Sequence, residues 1–241
     1  MPLKPVERRS ASAAVFDQLV NEVLEGGLEP GESLPAERSL TGLLEVNRQA
    51  VREALQRLAQ AGLVQITHGG STKVLDYRRS GGLDLLPRLL VGGDGFDPDV
   101  VRSVMEMRAS IGPDVARLAA ERASTAIVAA ARGVVADMAS EDDIAVLARL
   151  DVELWDLLVD GSGNIAYRLS FNGLRTVYEP ILELVFPVLQ EELRDLRSRE
   201  RIVEALERRD GEAASAAARH LLAKGTTAML KVAAAMEERE D

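Results

Sequence analysis

The 241-residue chain is 46 % hydrophobic and 28 % charged with a net charge of −10, which excludes a disordered polymer and is ordinary for a soluble globular protein. Its length allows two modest domains, each able to bury a core. With no cysteine, disulfides and thiolate metal sites are excluded; no apolar run reaches a membrane span or forms a secretory signal, so a cytoplasmic location without membrane attachment is expected.

In chain order, Val15–Glu25 carries Val15, Phe16, Leu19, Val20, Val23 and Leu24 at three- and four-residue steps, the pattern of a helix with one buried face. Gly26-Gly27 stops it. Pro35 is expected to open a second helix near its first position, running to about Glu45. Asn47 is a good N-cap for a third helix whose inward stripe is Val51, Leu55 and Leu58 and whose stop is Gly62. Val64–Thr67 and Thr72–Leu75 then read as short strands around His68-Gly69-Gly70-Ser71, a hairpin.

Further on, Ser80-Gly81-Gly82 and Val91-Gly92-Gly93-Asp94-Gly95 bracket LDLLPRLLV, expected to be a linker with one docking helix. From Asp97 the pattern is helical throughout. Starts are signalled at Asp97-Pro98, Ser124, Ser140 and Asn164, and breaks at Gly161-Ser162-Gly163, Glu179-Pro180, Phe186-Pro187 and Asp210-Gly211. The expected fold is therefore mostly α. A three-helix unit with a β-hairpin wing spans 10–76, with its helix-turn-helix at 37–56. A linker follows at 77–96, and an all-α antiparallel bundle of six or seven helices at 97–241.

A strongly acidic chain is a poor partner for nucleic acid unless its charge is unevenly placed. Residues 1–78 hold 9 Lys and Arg against 10 Asp and Glu, while the remainder holds 20 against 29. Between Asn47 and Lys73 stand Arg48, Arg52, Arg57 and Lys73 against the single acid Glu53, a local positive patch. Arg48, Gln49 and Arg52 fall on the first exposed turns after the Asn47 cap, where a helix-turn-helix presents long polar side chains to base edges. Arg38 would lie nearer the backbone, and His68 with the tip glycines would let the hairpin approach a groove. Taken singly, each arginine is an ordinary solvated charge; the capped helix, stripe, stop and hairpin together point to double-stranded DNA.

The stretch LPAERSLTGLLEVNRQAVREALQRLAQAGLVQITHGG, residues 34–70, resembles the winged helix-turn-helix of the GntR family of bacterial transcription regulators. Leu34-Pro35-Ala36-Glu37-Arg38, Val46-Asn47-Arg48 and Val51-Arg52-Glu53-Ala54-Leu55 carry the likeness. It implies that Arg38, Arg48, Gln49, Ala50, Arg52, His68 and Gly69 take DNA-contact positions. The helical remainder resembles the FadR subgroup of that family, which implies a ligand-binding bundle, a homodimer and a pseudo-palindromic operator.

Most members of the subgroup hold a metal with an Asp, a His one turn later and two further His. Here Asp151 fits the Asp, but Trp155 follows one turn later, Arg199 falls at the third position, and His220 is one residue early. One carboxylate and one misplaced imidazole do not close a metal site, so no metal and no cofactor is expected.

Trp155, Tyr167, Phe171, Tyr178 and Phe186 gather most of the aromatics on adjoining segments, chiefly as core, with Asn172 and Arg175 among them. Arg108 falls on the apolar stripe Val101, Val104, Ile111, Val115 and Leu118, where a charge requires a partner. Asp151 and a ligand carboxylate or phosphate are the two candidates. Leu169–Tyr178, LSFNGLRTVY, resembles the fatty-acid-responsive members of the subgroup. That likeness implies a long-chain fatty acid or acyl-CoA effector that releases the protein from DNA, held by Arg108, Asp151, Trp155, Phe171, Asn172, Arg175 and Tyr178. The alternative is a small organic carboxylate anchored on Arg108. An enzyme is not expected, because no phosphate loop or nucleophile motif stands beside the two histidines. A helical adaptor that binds no DNA is the remaining reading.

Overall fold

Ser10 caps the first helix, α1 (Ala11–Leu24), by accepting from the Ala13 N–H, and the inward face buries Val15, Phe16, Leu19, Val20 and Val23. The computed structural model describes the backbone of residues 10–67, 70–92 and 95–240, and the side chains of all of these but 91, 92, 95, 176–184, 237, 239 and 240. Two compact units divide it, Met1–Leu85 and Leu86–Asp241.

In the first unit α2 spans Glu37–Leu43 and α3 spans Arg48–Gln60. The second helix starts two residues after Pro35, so the proline leads into the helix close to its first position. Asn47 does cap α3: its Oδ1 accepts from the Ala50 N–H at 2.8 Å. Ala50, Val51, Ala54, Leu55 and Leu58 form the buried face. Gly62 ends the helix with φ of 72°, and a β-carbon there would come within 2.2 Å of the Ser80 carbonyl oxygen. The Ser80 hydroxyl in turn donates to the Gly62 carbonyl at 2.6 Å, tying the chain after the wing to the end of α3.

The wing pairs β1 (Val64–Ile66) antiparallel with β2 (Thr72–Val74), Val64 opposite Val74 and Ile66 opposite Thr72. Residues 31–34 add a third edge. Leu34 N–H donates to the Thr72 carbonyl and Val74 N–H to the Glu32 carbonyl, both at 2.8 Å. The tip residues His68 and Gly69 lie outside the described residues.

Between α2 and α3 the chain turns at Glu45, whose φ of 51° is left-handed. A residue with a β-carbon is disfavoured there. Glu45→Gly is expected to stabilise the unit by about 0.5–1 kcal/mol. Urea unfolding of the full chain followed by circular dichroism reads this as a higher midpoint, and an unchanged or lower midpoint contradicts it.

The 77–96 stretch is more structured than a linker with one helix. It holds α4 (Tyr77–Ser80), a 3₁₀ turn at Leu83–Leu85, α5 (Leu86–Leu90) and a two-strand hairpin of β3 (Val91–Gly92) and β4 (Gly95–Phe96). Six long helices follow, α6 (Pro98–Arg122), α7 (Thr125–Ala139), α8 (Ile144–Ser162), α9 (Ile165–Leu193), α10 (Leu196–Arg208) and α11 (Gly211–Glu240). Asp97, Ser124, Asp143, Asn164 and Asp195 cap the first five through side-chain oxygens.

Ser140 does not start a helix. Its hydroxyl donates backward to the Asp137 carbonyl and it closes α7, while Asp143 Oδ1 accepts from the Ala145 N–H and opens α8. The breaks expected at Pro180 and Pro187 are also absent, since α9 runs through both. A proline removes one backbone hydrogen bond and costs a helix interior about 3 kcal/mol. Burial of Val185, Phe186, Leu189 and Leu193 against the core offsets that cost.

Two apolar clusters fill the second unit. One joins Val115, Ala119, Val135, Leu154, Trp155, Leu158, Ile202, Leu206, Ala218 and Leu222 from α6, α7, α8, α10 and α11. The other joins Leu90, Val104, Leu174, Phe186, Leu189 and Met229 from α5, α6, α9 and α11. A cavity lies among α6, α8 and α9, with α11 contributing Leu222.

Candidate nucleic-acid interface and effector cavity

On the first unit Arg38, Arg48, Gln49 and Arg52 are exposed. The Arg48 side chain is 80 % exposed and reaches Glu37 Oε2 at 3.4 Å, a pair too open to water to hold the guanidinium back from a phosphate or a base. Gln49 Nε2 donates to Glu53 Oε1 at 3.0 Å, one turn along the same helix. Ala50 is a correction: it is 5 % exposed and belongs to the buried stripe, so its side chain packs the head rather than facing a groove. Arg57 also has a structural role, its guanidinium lying 3.9 Å from the centre of the Phe16 ring. Arg48 and Arg52, with Gln49 between them, are left as the long polar side chains on the leading turns of α3.

In the second unit the cavity has a volume of about 100 Å³. Its wall is mainly apolar, built from Ile111, Val115, Trp155, Phe171, Leu174 and Phe186. Arg108, Asp151 and Arg175 also reach it. Asn172 does not line it and is exposed. The Tyr178 side chain lies outside those described. Arg175 is half-exposed at the rim, 3.8 Å from Asp156.

The charges at the cavity are paired differently from the sequence expectation. Arg108 does not reach Asp151 as its partner; its guanidinium forks onto both carboxylate oxygens of Glu192, from Nη1 at 3.0 Å and from Nη2. Glu192 also accepts the Gly225 N–H at 3.1 Å. Only a glycine permits this approach, because a β-carbon at 225 would lie 2.0 Å from Glu192 Oε2.

Asp151 is held by Arg199, whose Nε and Nη2 donate to Oδ1 at 3.0 and 2.5 Å. Arg199 is 0 % exposed, and its Nη1 donates to the carbonyls of Glu192 at 2.7 Å and Asp195 at 3.1 Å. Sequence reasoning missed Glu192. Its signal was there: it falls three residues after Leu189 on the buried stripe of α9, where an acid requires a cation.

These residues do not fit a metal. The carboxylate of Asp151 is engaged by a fixed guanidinium, an indole offers no lone pair, and His220 is exposed. Arg199 places a permanent positive charge beside Asp151, so the site neutralises that acid from within the chain.

Asp195 extends the network. Lys224 Nζ lies 2.7 Å from its Oδ2, and the Ser198 hydroxyl and N–H donate to it at 2.6 and 3.1 Å. Burial pushes this carboxyl up, but the hydrogen bonds from Lys224 and Ser198 outweigh burial and hold its pKa at about 2, against an ordinary 3.8. A depressed carboxylate stabilises the fold fully above its unfolded pKa, and the contribution disappears as pH falls through the folded one. Asp195→Asn is therefore expected to be less stable than wild type by on the order of 2 kcal/mol at neutral pH. That gap should close between about pH 4 and pH 2. Denaturant midpoints of the two proteins measured down this series check it, and a gap independent of pH contradicts it.

A winged three-helix head with cations on the leading turns of α3, followed by a helical unit with an internal apolar cavity, defines a DNA-binding regulator with a helical C-terminal domain. Residues 11–74 match the family described as bacterial regulatory proteins, gntR family, and residues 103–224 match the FCD domain. The chain belongs to the GntR family of transcription regulators, with a FadR-like C-terminal domain.

Over 240 residues it is 40 % identical to the HTH-type transcriptional regulator Mce2R of Mycobacterium tuberculosis, covering 100 % of both chains. It is 32 % identical over 182 residues to the fatty acid metabolism regulator protein of Shewanella frigidimarina, covering 75 % of this chain and 74 % of that one. Its fold is similar to the solved transcriptional regulator of the GntR family from Pseudomonas syringae pv. tomato. That comparison gives a TM-score of 0.51 at 18 % identity, over 96 % of this chain and 89 % of the other. Among the described residues no helix is long and apolar enough to cross a membrane.

Proposed function

We propose that the chain is a cytoplasmic, homodimeric regulator of fatty-acid or lipid metabolism genes that leaves its operator when a long-chain acyl-CoA or fatty acid enters the bundle. Two heads would meet a pseudo-palindromic site with half-sites about one helical turn apart, with Arg48 and Arg52 reading base edges and Arg38 nearer the phosphates. The observation that carries the effector class is the cavity wall: it is apolar, and Arg108 and Asp151, the charges expected to anchor a ligand, already have partners in Glu192 and Arg199. An acyl chain is received by such a wall without breaking an ion pair. The relatives described as fatty acid metabolism regulators support the same choice.

A cavity of about 100 Å³ is well below the roughly 300–1,000 Å³ of occupied ligand pockets. An acyl chain therefore enters only as the helices around it part. An effector that prefers the parted form over the closed one shifts the equilibrium by that difference in affinity, and DNA affinity changes with it.

The small volume is also the one feature that favours a second reading, a small organic carboxylate bound to Arg108 in place of Glu192. Native mass spectrometry of the full chain with palmitoyl-CoA, palmitate and citrate in competition separates the two. The acyl reading predicts one palmitoyl species retained per chain. Retention of citrate alone selects the small carboxylate, and retention of neither contradicts both.

A further inference from the structure

Trp155 is more than nine-tenths buried in the wall of the bundle cavity, and its Nε1–H has no hydrogen-bond acceptor among the described residues. Buried indole N–H groups ordinarily find a partner, because an unpaired donor forfeits its hydration without replacement. Asp151, one turn earlier on α8, has its Oδ1 held by Arg199 and does not accept from the indole. The far end of the ring is fixed by packing. A β-carbon built at Gly112 would lie 3.4 Å from Cη2 and 3.6 Å from Cζ3, so the benzo edge abuts α6 and the ring's pyrrole side carries the unmatched donor. A purely apolar wall gains nothing from a buried N–H.

We infer that, once the surrounding helices part, the Trp155 indole N–H becomes the polar handle of the cavity, donating to the carbonyl or carboxyl oxygen of an acyl effector. This rests on the acyl-effector reading and assigns a group that tells an acyl compound from a plain hydrocarbon of the same length. The orphaned donor then has a consequence in each state. Without effector it is a small destabilising element of the closed bundle; with effector it is satisfied by the ligand, so the hydrogen bond belongs only to the bound form and adds to the differential affinity that moves the equilibrium. Arg108 and Arg199 can keep their carboxylates throughout.

Because Trp155 is the sole tryptophan of the chain, its indole gives a single ¹H–¹⁵N resonance that can be followed in the full-length protein. Saturating lauroyl-CoA is expected to move that proton downfield, the direction of a newly formed hydrogen bond, whereas an unmoved resonance at saturation overturns the inference. A second measurement uses Trp155→Phe, which keeps one aromatic ring and removes the donor together with the pyrrole that carries it. The variant should keep its helical fold without effector, by circular dichroism, and should require roughly tenfold or more lauroyl-CoA for half-release of operator DNA. If wild type releases DNA and the variant does so at the same concentration, the assignment of Trp155 fails while the acyl reading stands. If neither lauroyl-CoA nor palmitoyl-CoA binds or releases wild type, both fail.

Discussion

Replacing Arg199 with methionine is expected to destabilise the helical unit by about 3–5 kcal/mol. Arg199 is fully buried, and four hydrogen bonds leave its guanidinium, two to Asp151 Oδ1 and one each to the carbonyls of Glu192 and Asp195. Methionine fills much of the volume but supplies no donor, so Asp151 is left as a buried carboxylate without its cation and two carbonyls of the α9–α10 turn lose their partners. Breaking one side of a buried pair costs far more than the pair's net contribution, since the desolvation of the remaining charge is no longer compensated. The double variant Asp151→Asn/Arg199→Met should therefore regain part of the loss, because the orphaned charge is gone. Trp155 is the sole tryptophan and belongs to this unit, so its emission during urea unfolding follows the bundle without interference from the head. A loss under about 1 kcal/mol for the single variant would show that the pair is not the buried lock described above.

On the head, Arg48→Ala is expected to weaken specific operator binding by about 10- to 100-fold, the range of one lost bidentate contact to a base. The geometry supports this because the side chain stands at the first residue of α3, highly exposed, with only a long contact to Glu37. Arg52→Ala should act in the same direction. Arg57→Ala is the contrasting case. Its guanidinium covers Phe16, so its loss should lower the stability of the head while leaving the preference among operator sequences intact. Fluorescence anisotropy on a duplex selected from a random library by the protein itself, with competing random DNA, separates specific from non-specific affinity. Equal specific affinity for wild type and Arg48→Ala would remove Arg48 from the reading set.

The parts of the fold that were legible in the sequence are those decided by local chemistry. Asn47 as cap, the Val51, Leu55 and Leu58 stripe, Gly62 as stop and the paired strands of the wing all follow from interactions within a few residues. Burial of Ala50 was readable in the same stripe, four residues before Ala54, but family likeness placed it among the DNA contacts instead.

What escaped the sequence was decided by contacts far along the chain. Arg108 was recognised as a buried charge in need of a partner, yet Glu192 lies 84 residues away, and nothing local chooses it over Asp151. Likewise Pro180 and Pro187 carry strong local signals against a helix, which the packing of α9 overrides. The third position of the absent metal set was placed on Arg199 by likeness alone; that its guanidinium binds Asp151 follows only from bringing α8 and α10 together.

These long-range pairings also determine the character of the cavity. With Arg108 and Asp151 both engaged, the cavity presents an apolar wall rather than a free charge from either, and under the proposed function the affinity for a lipid would come from area removed from water. The most direct measurement of the central claim is operator affinity of the full chain, by anisotropy at fixed salt, with and without micromolar palmitoyl-CoA. The account predicts at least a tenfold loss of specific affinity with palmitoyl-CoA and none with acetyl-CoA. Operator affinity that stays unchanged at saturating palmitoyl-CoA would contradict it.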